Sequence, residues 1–173
     1  MIIGITGKAH AGKDTAAAYF IERGYSRYSM AKPLKDMLAV IGVYCDTQEQ
    51  KASIHPVFGV TNRHCAQTLG TEWMRNLIRR DGWVMLAHNA VLDLGPNVVI
   101  PDIRFDNEAE MVHKLGGYVV EIQRESNPVP TMDHVSESGV SIALIDFCVG
   151  NNETIAALRA KLETIAYYMG DKP

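Results

Sequence analysis

A chain of 173 residues with 47% hydrophobic residues suffices for one domain around a single buried core. Seventeen Lys and Arg against twenty Asp and Glu leave a net charge of −3, and the lack of a basic cluster beyond Arg79-Arg80 argues against a nucleic-acid-binding face. The longest stretches free of Asp, Glu, Lys and Arg, 52–62 and 82–92, run eleven residues. A membrane helix needs about 20 apolar residues, so a soluble protein without a membrane partner is expected. The opening Met-Ile-Ile-Gly-Ile-Thr-Gly has no basic lead-in and reads as a strand, not a secretory signal. Cys45, Cys65 and Cys148 are odd in number and lack C-x-x-C spacing. Neither a disulfide framework nor a zinc site is indicated, and a reducing cytoplasm is expected.

In chain order, the β-branched run 2–6 predicts a first strand, and the alanine-rich segment 15–23, closed by Gly24, a helix. A second strand is expected at 25–29, then a helix begun by Pro33 whose Leu34, Met37, Leu38 and Ile41 recur at helical spacing. Segment 44–62 reads as a broken helix or a mobile surface segment. Cys65, Leu69, Trp73, Leu77 and Ile78 predict a helix capped by Asn62, and Val84, Ala87, Val91 and Leu92 another, ended by Gly95-Pro96. Val98-Val99-Ile100 has the uninterrupted apolar character of a buried parallel strand, with Asp102 at its C-terminal edge. A helix over 106–115, a strand over 118–122 and a long polar loop over 124–137 follow, the loop being a candidate lid. A fifth strand at 147–149 precedes a final helix whose stripe is Ile155, Leu158, Leu162, Ile165 and Met169. Strands alternating with helices imply an α/β fold: a central parallel sheet of about five strands in three layers. Residues 1–173 form one domain on this reading, with a candidate substrate-binding helical insertion at 44–95 and a lid-like segment at 124–137.

Gly7-Lys8-Ala9-His10-Ala11-Gly12-Lys13 fits G-x-x-x-x-G-K between a predicted strand and a predicted helix, the context a phosphate-binding P-loop requires. Gly7 and Gly12 let successive N–H groups and the helix N-terminus turn toward phosphate oxygens, and Lys13 adds a mobile positive charge. The position after Lys13 is Asp14 where Ser or Thr is usual, and the hydroxyl is displaced to Thr15. Asp14 is either a magnesium ligand acting through water or a first-turn acid favoured by the helix dipole, and Thr15 is the other candidate ligand.

The loop with Asp14-Thr15, then Gln67-x-x-Gly70-Thr71-Glu72-x-x-Arg75, then Asp102-x-Arg104-Phe105-x-Asn107-Glu108, and His134-x-Ser136-Glu137 together resemble the deoxynucleoside monophosphate kinases of tailed bacteriophages and prophages. The resemblance covers nearly the whole chain, and 102–108 is its most specific part. A more distant likeness extends to animal-type phosphomevalonate kinase. The resemblance implies a P-loop nucleoside monophosphate kinase fold that transfers the γ-phosphoryl group of ATP, with Mg²⁺, to a deoxynucleoside 5′-monophosphate. An acceptor phosphate is already anionic near neutral pH, so no general base is needed.

Lys13 is assigned to the β- and γ-phosphates and, with Arg104, to catalysis; Gly7, Ala9, His10, Ala11, Gly12, Asp14, Thr15 and Arg124 complete the expected ATP site. His10 contacts phosphate or points to solvent, and Arg124 is a lid arginine or a plain loop residue. Arg104, at the sheet edge where open α/β sheets bind ligands, clamps a phosphate or forms a surface ion pair. Asp102 resembles a family substrate-site acid, with a strand-end carboxylate holding Arg104 as the alternative. Glu108 has a family counterpart that faces substrate, and otherwise is a helix-dipole acid. Gly70-Thr71 offers close backbone approach and a hydroxyl to a nucleotide, or merely breaks a helix. Arg75 reaches a phosphate or solvent, and Trp83 resembles an aromatic position near the substrate base or is a core residue. His134, Ser136 and Glu137 read as lid or supporting residues. The rival readings are another small-molecule P-loop kinase, taking phosphomevalonate or dephospho-coenzyme A, and a non-catalytic nucleotide-binding module. A GTP switch lacks its N-K-x-D motif here. A homodimer is a candidate assembly.

Overall fold

The computed structural model describes residues 1–125 and 139–170. His134, Ser136, Glu137 and the expected lid beyond Glu125 lie outside the described residues. The chain divides into two compact units, Met1–Ser29 with His88–Pro173, and Met30–Ala87.

The first unit is built on five strands: β1 (Ile2–Thr6), β2 (Ser26–Arg27), β3 (Val98–Ile100), β4 (Tyr118–Gln123) and β5 (Phe147–Gly150). They form one sheet in the order β2-β3-β1-β4-β5 with every pair parallel. Every residue of β1 and β3 is buried, as their unbroken apolar runs require of strands covered on both faces. On one face Ile3, Ile5, Val99, Val120, Ile122 and Val149 pack with Ala16, Ala17 and Phe20 of α1 (Lys13–Glu22) and Leu158, Leu162 and Ala166 of α7 (Ile155–Tyr168). On the other lies α6 (Asp106–Lys114), so close to β1 that a Cβ on Gly4 would stand 3.0 Å from Val112 Cγ2. These are the three layers expected.

In the first unit, two details differ from the sequence reading. Strand 25–29 shrinks to Ser26–Arg27, an edge strand with one neighbour, although Tyr28 N–H still donates to the Val99 carbonyl at 3.0 Å. Ile155 is 64% exposed. It is the first residue of α7, and its Cα–Cβ bond tilts back past the helix start, off the sheet.

The second unit carries α2 (Lys32–Val40), α3 (Gln48–Ala52), α4 (Asn62–Gln67), a π-helix (Thr68–Ile78) and the start of α5 (Gly82–Asp93). Leu38, Val43 and Cys45 make a small core against Leu34, Cys65, Ala66 and Leu69. Segment 44–62, read as a broken helix or a mobile surface segment, holds the five-residue helix α3. Thr47 and Gln50 form a reciprocal capping box on α3, and Ile54 bridges to Thr61. The expected cap Asn62 is corrected to Thr61, whose hydroxyl accepts from His64 N–H at 3.1 Å. Asn62 is buried instead, donating from Nδ2 to the carbonyls of Tyr44 and Gln50 at 3.0 and 3.1 Å and so tying the segment together. At Gly70-Thr71 the helix does not break but widens into π geometry.

Candidate active site

β1 delivers the chain to Gly7 at the C-terminal edge of the sheet, beside the point where connections leave β1 and β4 toward opposite sides. Open α/β sheets bind ligands there. Gly7 has φ 134°, and a Cβ on it would stand 2.3 Å from the Ile122 carbonyl oxygen. Gly12, at φ 103°, is the N-cap of α1. His10, at φ 61°, is the one non-glycine residue with positive φ among those described, and its side chain is exposed. Ala11 is buried and Ala9 is half-buried. The first N–H groups of α1, those of Lys13, Asp14 and Thr15, lack partners within the helix and give the loop a partial positive charge. Lys13 folds back across it, donating from Nζ to the carbonyls of Gly7 and Lys8 at 2.7 and 2.8 Å.

Asp14 is exposed, and its Oδ1 accepts from Arg27 Nη2 on β2 at 2.7 Å. Thr15 is half-buried in the same turn. Beyond β3, Ile103 N–H donates to the Ile5 carbonyl at 3.1 Å, pinning the next residues to the same edge. Asp102 there accepts from Ser29 Oγ at 2.6 Å. Arg104 is exposed, and no described residue pairs with its guanidinium. Glu108 is 3% exposed and turned inward: its Oε2 accepts from the N–H groups of Arg104 at 2.8 Å and Phe105 at 3.2 Å. A buried carboxylate needs such donors, and these lie at the positive end of α6. Glu108 thereby fixes the loop that carries Arg104. Arg124 is exposed just after β4.

The remaining expected residues belong to the second unit. Trp83 is 5% exposed and donates from Nε1 to the Gly70 carbonyl at 2.8 Å, joining two of them directly. A Cβ on Gly70 would meet nothing nearer than Leu34 at 3.7 Å, so packing among the described residues does not demand glycine there. Thr71 and Arg75 are half-buried on the π-helix.

Sequence reasoning missed Ser29, Arg27 and Asn151. Asn151 reaches the loop, donating from Nδ2 to the Ala11 carbonyl at 2.8 Å, and the paired Asn151-Asn152 after β5 was its one sequence trace. The free thiols stand apart from this chemistry. Burial pushes the Cys45 thiol above its ordinary value, and burial together with the Glu121 carboxylate does the same to Cys148.

Residues 58–162 match the family model described as Deoxynucleotide monophosphate kinase. The chain is 35% identical over 179 residues to a putative deoxynucleotide monophosphate kinase of Acanthamoeba polyphaga mimivirus, with 90% of each chain covered. It is 30% identical over 149 residues to the deoxynucleotide monophosphate kinase of Escherichia phage RB69, covering 84% of this chain and 55% of that one. Among solved structures it resembles dephospho-CoA kinase from Campylobacter jejuni, with a TM-score of 0.55, 14% identity and 99% and 98% of the two chains covered. Shikimate kinase from Acinetobacter baumannii is similar at a TM-score of 0.51 and 13% identity, with 99% and 94% covered. At such identities the structural likeness concerns the fold alone.

Proposed function

This chain belongs to the deoxynucleotide monophosphate kinase family, and we propose that loop 7–13, Asp102 and Arg104 transfer the γ-phosphoryl group of ATP to a deoxynucleoside 5′-monophosphate. The observation that carries the assignment of residues is their placement. The loop, the α1 N-terminus, Asp102 and Arg104 all follow the C-terminal ends of the neighbouring strands β1 and β3. An acceptor phosphate oxygen attacks the γ-phosphorus in line; that O–P bond forms while the bond to the β-phosphate oxygen breaks and ADP departs. With a second phosphate pKa of about 6, the acceptor is already dianionic, so the protein's task is alignment and charge neutralisation. The backbone N–H groups of the loop hold the β-phosphate region, Lys13 follows the γ-phosphoryl group, and Arg104 meets the charge that builds between donor and acceptor.

The oxygen donors of Thr15, Asp14 and Asp102 fit Mg²⁺, which takes one or two protein oxygens beside substrate phosphates. Magnesium supplies charge neutralisation at the phosphates when bound. Because Asp14 is held by Arg27, Thr15 is the better placed first-turn ligand. Relatives from a phage and a mimivirus suit a role in supplying precursors for viral DNA replication, in the host cytoplasm. Gly70, Thr71 and Trp83 are assigned to the nucleoside and Arg75 to the acceptor phosphate, with the Trp83 to Gly70 bond setting the shape of that segment.

The test is ADP production from Mg-ATP with dAMP, dGMP, dCMP, dTMP and phosphomevalonate, beside Lys13→Ala. Turnover with a deoxynucleotide that falls at least about 100-fold in kcat/KM in the variant is expected. Turnover with phosphomevalonate alone would overturn the acceptor, and ATP binding without any turnover would leave a binding module.

A further inference from the structure

Asn151 stands where β5 ends, and although it is an asparagine in a connecting turn it is 9% exposed. Its Nδ2 donates to the Ala11 carbonyl at 2.8 Å, in a buried hydrogen bond between residues 140 apart in sequence. Its backbone N–H donates to the Gln123 carbonyl at 2.7 Å, and neighbouring Asn152 Oδ1 accepts from Glu125 N–H at 2.9 Å. Asn151 is therefore tied through its backbone to the end of β4 while its side chain reaches the loop. It is also close to Gly12, where a Cβ would stand 2.3 Å from Asn151 Nδ2.

The Ala11 carbonyl and the Gly12 N–H belong to one planar trans peptide and point in opposite directions. Holding that carbonyl toward Asn151 turns the Gly12 N–H the other way, away from Asn151. We propose that Asn151 is a positioning residue that orients the Ala11-Gly12 peptide so that its N–H is preset toward the phosphates of ATP. An amide is suited to this work. It is neutral, so it adds no negative charge beside a polyphosphate, and it supplies the donor that a carbonyl needs. The inference rests on the reading that loop 7–13 holds ATP.

The experiment compares the full chain with Asn151→Ala, Asn151→Asp and Lys13→Ala, measuring Kd for ATP by calorimetry, KM for ATP and for the deoxynucleoside monophosphate, and thermal unfolding. Loss of one neutral hydrogen bond is expected to raise Kd and KM for ATP roughly five- to tenfold in Asn151→Ala. Asn151→Asp, nearly isosteric, is expected to raise them further, because its carboxylate faces both the Ala11 carbonyl and the phosphates. KM for the acceptor is expected to stay as in the wild type. A merely structural asparagine would lower the unfolding temperature and leave KM for ATP unchanged; that result, an equal rise in acceptor KM, or loss of the fold in both variants would overturn the inference. Wild-type ATP affinity in Lys13→Ala would instead bring down the cradle reading itself, so the two failures are distinguishable.

Discussion

Gly7 shows how a single position can be decided by space as well as by chemistry. A Cβ there would lie 2.3 Å from the Ile122 carbonyl oxygen, backbone that cannot swing aside without moving β4, and φ 134° is itself strained for any other residue. Gly7→Ala is expected to cost about 2–3 kcal/mol of stability, measured by urea unfolding, and to abolish ATP binding. Gly7, Gly12 and Lys13 were legible in the sequence because the spacing G-x-x-x-x-G-K is itself the mechanism, a bend followed by a helix start. Asn151 and Ser29 were not. Each acts on a residue far away in sequence, Ala11 and Asp102, and nothing in their neighbours marks a partner that distant.

The start of α6 is the clearest case at the scale of an element. The sequence placed an acid in its first turn, and the resemblance set that acid by the substrate; in the folded chain the Glu108 carboxylate accepts from the N–H groups of Arg104 and Phe105. Glu108→Ala leaves these donors without their acceptor and is expected to cost about 1–3 kcal/mol in denaturant unfolding. Glu108→Gln keeps an acceptor oxygen, so it is expected to retain most of the stability. If it also retains kcat/KM, the residue serves by holding the Arg104 loop; a large loss of activity at intact stability would place its charge against the substrate. The π-helix Thr68–Ile78 is the element that sequence periodicity misread. Apolar spacing distinguishes helix from strand, but a π turn differs from an α turn by one residue per bond, and the Met74 carbonyl accepting from Arg79 N–H at 2.7 Å leaves no mark on that pattern.

For the whole molecule, binding and stability are linked. ATP that binds the folded chain at one hundred times its Kd adds about 2.7 kcal/mol, or roughly 5–10 °C in Tm for a protein of this size. Wild-type protein is expected to show this shift in a thermal scan with Mg-ATP and a smaller one when magnesium is chelated, while Lys13→Ala shows almost none. No helix among the described residues is long and apolar enough to cross a membrane, in keeping with the short uncharged runs of the sequence.

The sequence by itself determined the parallel α/β class, the phosphate loop and the kinase family. These rest on local features: apolar runs, a strand–loop–helix junction, and a short specific stretch at 102–108. Tertiary structure alone decided the strand order β2-β3-β1-β4-β5, the inward turn of Glu108, the bond from Trp83 to Gly70 and the hold of Asn151 on the loop. The reason is physical: a strand's or helix's tendency is set by residues within one or two turns of itself, whereas which buried donor meets which carbonyl is settled when distant segments pack and each must satisfy its polar groups.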